Sequence, residues 1–325
     1  MPVCEDDEVL IRVKACGICG SDLGRVFYGS GHVYPIVLGH EFSGEIVAAG
    51  AGVSKFKPGD RVTAAPLVSC GRCFYCRSGR PALCESYNLI GTRINGAMAE
   101  YVKVKAANVL RLPEEVDFYS GAMVEPVTVA IHAVERIFLR AGASVALFGA
   151  GTIGLLTLQC LKARGAGKVF VIDVNREKLK IADRLGADKT LNPEDLDVVK
   201  YIKDTGGVDM VFETAGVPIT QKQSLEVVKK QGSVVYVGTA SRDITFPSQV
   251  FEKILRGELN ITGSWMSYSL PFPGYEWDAA INYIKEGKIK TEPLISGIYK
   301  IEDLLKPFEQ MQHRNGLAVK NMFGF

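Results

Sequence analysis

Residues 147–173, LFGAGTIGLLTLQCLKARGAGKVFVID, constrain this chain more than any other stretch. An apolar run, a turn punctuated by glycine, a second apolar segment and a strand-like run ending in an acid predict strand, turn, helix and strand. Gly149, Gly151 and Gly154 form G-x-G-x-x-G, and Asp173 follows at the spacing of a ribose-binding acid. The first glycine of such a turn permits a tight bend, and the second lets backbone approach a pyrophosphate. The third allows close helix–strand packing, and the helix N-terminus turns its positive end toward the phosphates. An ordinary βα turn can carry the same glycines, but the flanking β-rich run and the terminal acid favour a nucleotide domain. From residue 144 onward, candidate strands (144–148, 168–173, 209–213, 233–237, 260–264) alternate with helical stretches (153–163, 176–185, 221–229). Such alternation predicts an α/β fold with a doubly wound parallel sheet. Glu213–Gly216 and Val237–Thr239 then fall at strand C-termini, where ligands bind in these sheets.

At 325 residues with 47% hydrophobic content, the chain is long enough for two cores. A net charge of +2 with interspersed signs gives no electrostatic footprint for nucleic acid. The acidic start MPVCEDDEVL lacks the regions of a signal peptide. The uncharged run 143–161 is long enough to span a membrane, but it contains the glycine turn and reads as strand plus helix. A soluble, cytoplasmic protein without nucleic-acid or membrane partners is expected.

Four of the eight cysteines, Cys70, Cys73, Cys76 and Cys84, form C-x2-C-x2-C-x7-C. In a reducing compartment this pattern points to a metal site rather than a disulfide framework. Four thiolates around one tetrahedral zinc make a closed structural site. Upstream, residues 9–15 alternate as a half-buried strand and lead into Cys16-Gly-Ile-Cys19-Gly20-Ser21-Asp22. Gly39-His40-Glu41 precedes a strand-like run at 42–47, where the histidine suits either a surface pair or a metal. A further strand is predicted at 96–104. Glu125-Pro126 lies in an apolar segment, where an ionised carboxylate is costly unless paired or bound to metal. After residue 274 the alternation stops, and a helix and short strands finish the chain.

Together these tracts resemble the zinc-dependent medium-chain dehydrogenase/reductase family, over essentially the whole chain. The resemblance implies a GroES-like β-rich catalytic domain (1–125, zinc lobe 69–85) and a Rossmann domain (126–270). A return segment (271–325) would pack on the catalytic domain, and the active site would lie in the cleft between domains. The catalytic zinc ligands it implies are Cys19, His40 and a carboxylate from Glu41 or Glu125. The structural zinc would take Cys70, Cys73, Cys76 and Cys84. Gly149, Gly151, Ile153, Gly154, Asp173, Lys178, Val237, Gly238, Thr239, Ser264 and Trp265 would bind the cofactor. NAD is expected over NADP, because the charge of Asp173 opposes a 2′-phosphate.

Ser21 would begin a proton relay to solvent. Relatives often complete that relay with a histidine three residues later, where this chain has Gly24. The chain also starts one strand before Cys19, whereas relatives usually have a preceding β-hairpin, so either the start lies late or the domain lacks an edge. Within the family, the polyol dehydrogenases are the branch most resembled. Relatives acting on free polyols usually place Arg-Tyr where this chain has Met266-Ser267, which ranks a phosphorylated sugar alcohol ahead of a free polyol or L-threonine. Arg25 and Arg93 would meet the phosphate, since guanidinium binds phosphate bidentately. The family implies a homodimer or homotetramer formed through the Rossmann sheet. A non-catalytic zinc- and NAD-binding sensor or structural protein is the alternative from another class.

Overall fold

The computed structural model describes residues 1–31, 33–312, 316 and 318–325. The chain divides into two compact units, Met1–Thr128 with Ser267–Phe325, and Val129–Met266.

The first unit is built on a seven-stranded sheet. Its path runs Ile295–Tyr299, Lys320–Gly324, Glu8–Gly17, Glu41–Ala49, Arg61–Ala64 and Val109–Arg111, with Tyr101–Lys105 also paired to Glu8–Gly17. The alternation that predicts a strand at 9–15 arises because Val9, Ile11 and Val13 enter a core with Phe42, Ile46 and Val62. Each such burial contributes about 1.5–3 kcal/mol. Register then fixes the neighbours of the strand end: Gly17 lies opposite Glu41 on one side and opposite Met322 on the other. Two residues from Met322 sits Lys320, so the first, second and last strands converge there. The expected strand at 96–104 begins only at Tyr101. The amides of Gly96, Ala97 and Met98 donate instead to the carbonyls of Val37, Gly39 and Leu38, bracing the turn that precedes His40. A separate two-stranded ribbon, Leu67–Val68 with Asn88–Leu89, closes the base of the cysteine-rich loop.

The second unit carries six parallel strands in the order Lys189–Leu191, Val169–Ile172, Val145–Phe148, Val208–Glu213, Val228–Tyr236, Asn260–Gly263. Val145–Phe148 and Val169–Ile172 are buried throughout, as strands covered on both faces must be. The chain winds one way from Val145–Phe148 and then the other, which sets the switch point between that strand and Val208–Glu213. The short strand Lys189–Leu191 and the helices Val198–Asp204 and Ser248–Arg256 were not legible as elements in the sequence. Three residues carry too little period to register, and seven or nine residues give a surface helix barely two turns over which to show its period. No helix among the described residues is long and apolar enough to cross a membrane.

Candidate active site

Cys19 is the N-cap of the helix Gly20–Phe27, reached directly from the end of the first strand. Its backbone N–H donates to Asp22 Oδ2 at 3.1 Å, which fixes the entry to the helix. His40 precedes the strand Glu41–Ala49, and Gly39 reaches it through a φ of +100°. Cys19, His40 and Glu41 thereby bring their ligand atoms within 4.8 Å of one another. Around them lies a tight polar shell. The Ser21 hydroxyl donates to Cys19 Sγ at 3.3 Å. Arg25 Nη1 donates to Ser21 Oγ at 3.0 Å and to Asp22 Oδ1 at 3.1 Å. Asp22 is fully buried, with Oδ1 3.9 Å from His40 Nδ1.

Glu41 is paired as well as poised. Lys320 Nζ reaches its two oxygens at 2.6 and 2.9 Å and also donates to the Ile18 carbonyl at 3.0 Å. Both side chains are almost wholly buried. A Cβ on Gly17 would stand 2.3 Å from Glu41 Oε2, so only glycine fits beneath that carboxylate. Glu125, in the first turn of Val124–Glu135, lies outside the three-residue group but within its field. Desolvation, against the pull of His40, pushes its carboxyl up to about 7. Burial works to lower the His40 pKa, yet Asp22, Cys19 and Glu125 lift it to about 10. The donor set therefore favours a cation. One thiolate, one imidazole and one carboxylate also match the three protein ligands of a catalytic zinc with a fourth position open.

In the lobe, the four sulfurs of Cys70, Cys73, Cys76 and Cys84 lie within 4.8 Å of one another. Sulfurs on a tetrahedral zinc stand about 3.8 Å apart, given Zn–S of about 2.3 Å. Here Cys73 and Cys76 are 3.5 Å apart, and Cys70 and Cys76 are 4.0 Å apart. The backbone N–H groups of Cys76 and Glu85 hold the Cys73 thiol down to about 6, whereas desolvation and the neighbouring sulfurs push Cys76 up to about 12. This donor set fits a structural zinc. Cys16, by contrast, turns into the sheet core and joins neither group.

On the second unit the glycine turn shows each expected device. Gly149 has a φ of +100°, and a Cβ on Gly154 would lie 1.9 Å from Gly149 O. A Cβ on Gly151, the N-cap of the helix Thr152–Ala163, would meet nothing within 4 Å, so space stands open at the helix N-terminus. Asp173 accepts the Ala150 N–H through Oδ2 and the Asn175 N–H through Oδ1, both at 2.7 Å. Ile153 lies in the first turn of that helix, and Lys178 in the first turn of Arg176–Arg184. Val237, Gly238 and Thr239 follow Val228–Tyr236, and the loop at Gly216 touches Gly238 and Thr239. The Ser264 N–H donates to Tyr236 O, its buried hydroxyl has no partner, and Trp265 is 54% exposed. All of these residues sit at or just beyond C-terminal strand ends or at helix N-termini of one sheet.

Sequence reasoning gave no role to Asp22 or Lys320, and it placed Glu213 at a ligand-bearing strand end without saying what its carboxylate holds. Asp22 and Lys320 flank the Cys19 group, and buried Glu213 ties Ala215, Gly216 and Thr220 through Oε1. The available signal was a charged residue inside an apolar tract, as in Val319-Lys320-Asn321-Met322. Arg93 spends its guanidinium largely on Tyr87, stacking over the ring at 4.5 Å and donating to the Tyr87 carbonyl, while its buried Nε has no partner.

Residues 5–114 match the alcohol dehydrogenase GroES-like domain, and residues 152–286 match the zinc-binding dehydrogenase family. The chain is 42% identical to galactitol 1-phosphate 5-dehydrogenase of Escherichia coli (strain K12) over 293 residues, covering 89% of this chain and 85% of the relative. The crystal structure of galactitol-1-phosphate dehydrogenase from Escherichia coli superimposes with a TM-score of 0.94 at 39% identity, covering 100% of this chain and 94% of that one. A solved structure from Sinorhizobium meliloti 1021 with NADP bound gives a TM-score of 0.92 at 34% identity, covering 100% and 94%. The two metal-ligand groups, the glycine turn and these similarities converge: the chain belongs to the zinc-type alcohol and polyol dehydrogenases of the medium-chain dehydrogenase family.

Proposed function

We propose that this enzyme oxidises a secondary alcohol of a phosphorylated sugar alcohol, converting galactitol 1-phosphate to tagatose 6-phosphate with NAD. The observation that carries the substrate is the 42% identity to galactitol 1-phosphate 5-dehydrogenase across 89% of the chain. Cys19, His40 and a carboxylate would hold the catalytic metal. Glu41 lies within the group of ligand atoms, and Glu125 is coupled to it electrostatically. A zinc ion held there supplies Lewis-acid polarisation of the substrate oxygen, and a nicotinamide supplies the hydride acceptor.

The protein's own residues orient these groups. Asp22 braces Cys19 through its backbone and faces His40, and Lys320 fixes the Glu41 carboxylate. Ser21 presents its hydroxyl at the thiolate. For the dinucleotide, Gly151 leaves room for a pyrophosphate over the helix N-terminus. Asp173 accepts one backbone N–H on each oxygen, which leaves one lone pair on each for the ribose hydroxyls. Ile153, Lys178, Val237, Gly238, Thr239, Ser264 and Trp265 complete the proposed cofactor surface. Arg176, the nearest cation to Asp173 in sequence that could take a 2′-phosphate, is bound bidentately by Asp195 at 2.7 and 2.7 Å, which supports NAD. The NADP-bound relative supports the opposite cofactor choice. Arg25 and Arg93, each with a buried Nε that lacks a partner, are the guanidinium groups proposed to meet the substrate phosphate.

The test is reduced-cofactor formation, followed by absorbance, on zinc-loaded protein with NAD or NADP. Galactitol 1-phosphate, galactitol, sorbitol and L-threonine are compared in parallel. A kcat/KM for the phosphate ester at least tenfold above the others, with NAD preferred, is the expected outcome. Preference for an unphosphorylated alcohol, or for NADP, sinks the corresponding part of the reading.

A further inference from the structure

Glu213 ends the strand Val208–Glu213 beside the switch point, and it is fully buried. An acid so placed is costly unless its oxygens find donors. Here one oxygen takes them all. Oε1 accepts the Ala215 and Gly216 N–H groups at 2.9 Å each and the Thr220 hydroxyl at 2.8 Å, while Oε2 is buried without a partner. Burial pushes this carboxyl above its ordinary range, against the pull of those three donors. Thr220 lies in the first turn of the helix Pro218–Val227, so the carboxylate also stands at a helix start, where the dipole favours it.

The same residue joins two loops. Its carbonyl accepts the Val237 and Gly238 N–H groups at 2.8 and 2.9 Å, from the loop after Val228–Tyr236. Its side chain holds the loop after its own strand, where Gly216 takes a φ of +67°. A Cβ on Gly216 would stand 2.3 Å from the Thr239 carbonyl oxygen, so the two loops are in close contact. The Gly216 carbonyl in turn accepts the Ser241 N–H and hydroxyl at 3.1 and 3.0 Å.

Strand order divides the cofactor surface in two. Val169–Ile172, followed by Asp173, lies on one side of Val145–Phe148 and its glycine turn; Val208–Glu213 and Val228–Tyr236 lie on the other. With the adenosine ribose at Asp173 and the pyrophosphate at the turn, the nicotinamide half falls to the loops that Glu213 joins.

We propose that Glu213 is a positioning residue for the nicotinamide half of the cofactor, its carboxylate holding loop 214–216 in the shape that receives it. This rests on the reading of the C-terminal end of the sheet as the dinucleotide site. The carboxylate works from beneath the loop and makes no contact with the ligand. Without it the Ala215 and Gly216 amides lose their acceptor, and a loop that holds its receiving shape for only part of the time weakens binding by that fraction.

The test titrates the full-length protein with NADH, read by nicotinamide fluorescence, and with ADP, read by calorimetry. ADP carries the adenosine ribose and the pyrophosphate but no nicotinamide. Glu213→Met keeps the length of the side chain and removes the acceptor, whereas Glu213→Gln keeps one acceptor oxygen. Glu213→Met is expected to raise the Kd for NADH about tenfold or more and that for ADP less than about twofold, with Glu213→Gln within about threefold of the parent for both.

Unchanged NADH binding by Glu213→Met overturns the proposal. Equal loss of NADH and ADP does so too, because it marks Glu213 as a support of the whole unit. A loss in Glu213→Gln as large as that in Glu213→Met also overturns it, since the acceptor would then not be what holds the loop. Should Glu213→Met not fold, Thr220→Val removes one of the three donors and carries the test. Weakened NADH with unchanged ADP then supports the proposal, and any other pattern overturns it. A parent that binds neither nucleotide removes the cofactor reading and the proposal with it, whereas the other failures remove the proposal alone.

Discussion

The two donor groups of the first unit are built in opposite ways. The four-cysteine lobe takes all its ligands from residues 70–84, closed at its base by a two-stranded ribbon, and offers four sulfurs at nearly tetrahedral spacing. The Cys19 group takes its ligands from the ends of two strands, and the lysine that neutralises one of them comes from a third strand near the C-terminus. A closed set of thiolates leaves no place for substrate, so its contribution is to folding. An assembled set of three different donors leaves a position open, and its geometry is only as good as the sheet register that brings it together. Local clusters are therefore readable from spacing, whereas reactive ones depend on the packing of distant strands.

That contrast can be broken by substitution. Cys73→Ser in the lobe should have the largest effect, since binding at a structural site is folding free energy, on the order of 10 kcal/mol in small zinc domains. Loss of one metal equivalent by elemental analysis and a large fall in the soluble, folded fraction are expected. A variant that kept its metal and melting temperature would show the lobe to be dispensable. Cys19→Ser should do the reverse, holding the melting temperature while kcat falls about a thousandfold or more, given the several kcal/mol that a Lewis acid supplies. Equal damage to Tm from both would erase the distinction between folding and catalytic groups.

Lys320→Met sharpens the comparison, because it removes a partner that neither group contains. Breaking a buried ion pair of this kind leaves an uncompensated charge and costs about 3–5 kcal/mol. Denaturant unfolding should report that loss, and the double variant Lys320→Met with Glu41→Gln should recover part of it. No recovery would mean that the pair is not what holds the last strand to the first two.

The smallest effect is expected at Asp209, on the second unit and outside both groups, which makes it a control for acid sensitivity. Desolvation acts to raise this carboxyl, and the Ser144 hydroxyl and amide with Lys229 outweigh it, holding the pKa at about 2. A depressed folded pKa stabilises above the ordinary value of 3.8 and is lost as pH falls through about 2. Asp209→Asn should flatten the stability profile between those limits and leave metal content unchanged at neutral pH. A profile of unchanged slope would assign the acid transition elsewhere.

Much of this protein is legible in its sequence, and for a local reason. The glycine turn, the cysteine lobe and the alternating βα order all depend on residues close in sequence, where steric rules and ligand spacing act directly. Gly149, Gly151 and Gly154 behave in the structure as their spacing predicts, because turn, open approach and close packing are backbone matters. The strand expected at 96–104 was too long at its start, since its amides found the loop before His40 instead of a strand. The partner of Glu41, the approach of Asp22 to within 3.9 Å of His40 and the hydrogen bonds of Arg25 to Ser21 and Asp22 were equally out of reach. Each is a contact whose free energy exists only once register and burial are set. Sequence alone determined which chemistry the chain can hold; the tertiary structure decided which charges face each other, because desolvation acts on neighbours in space and not on neighbours in the chain.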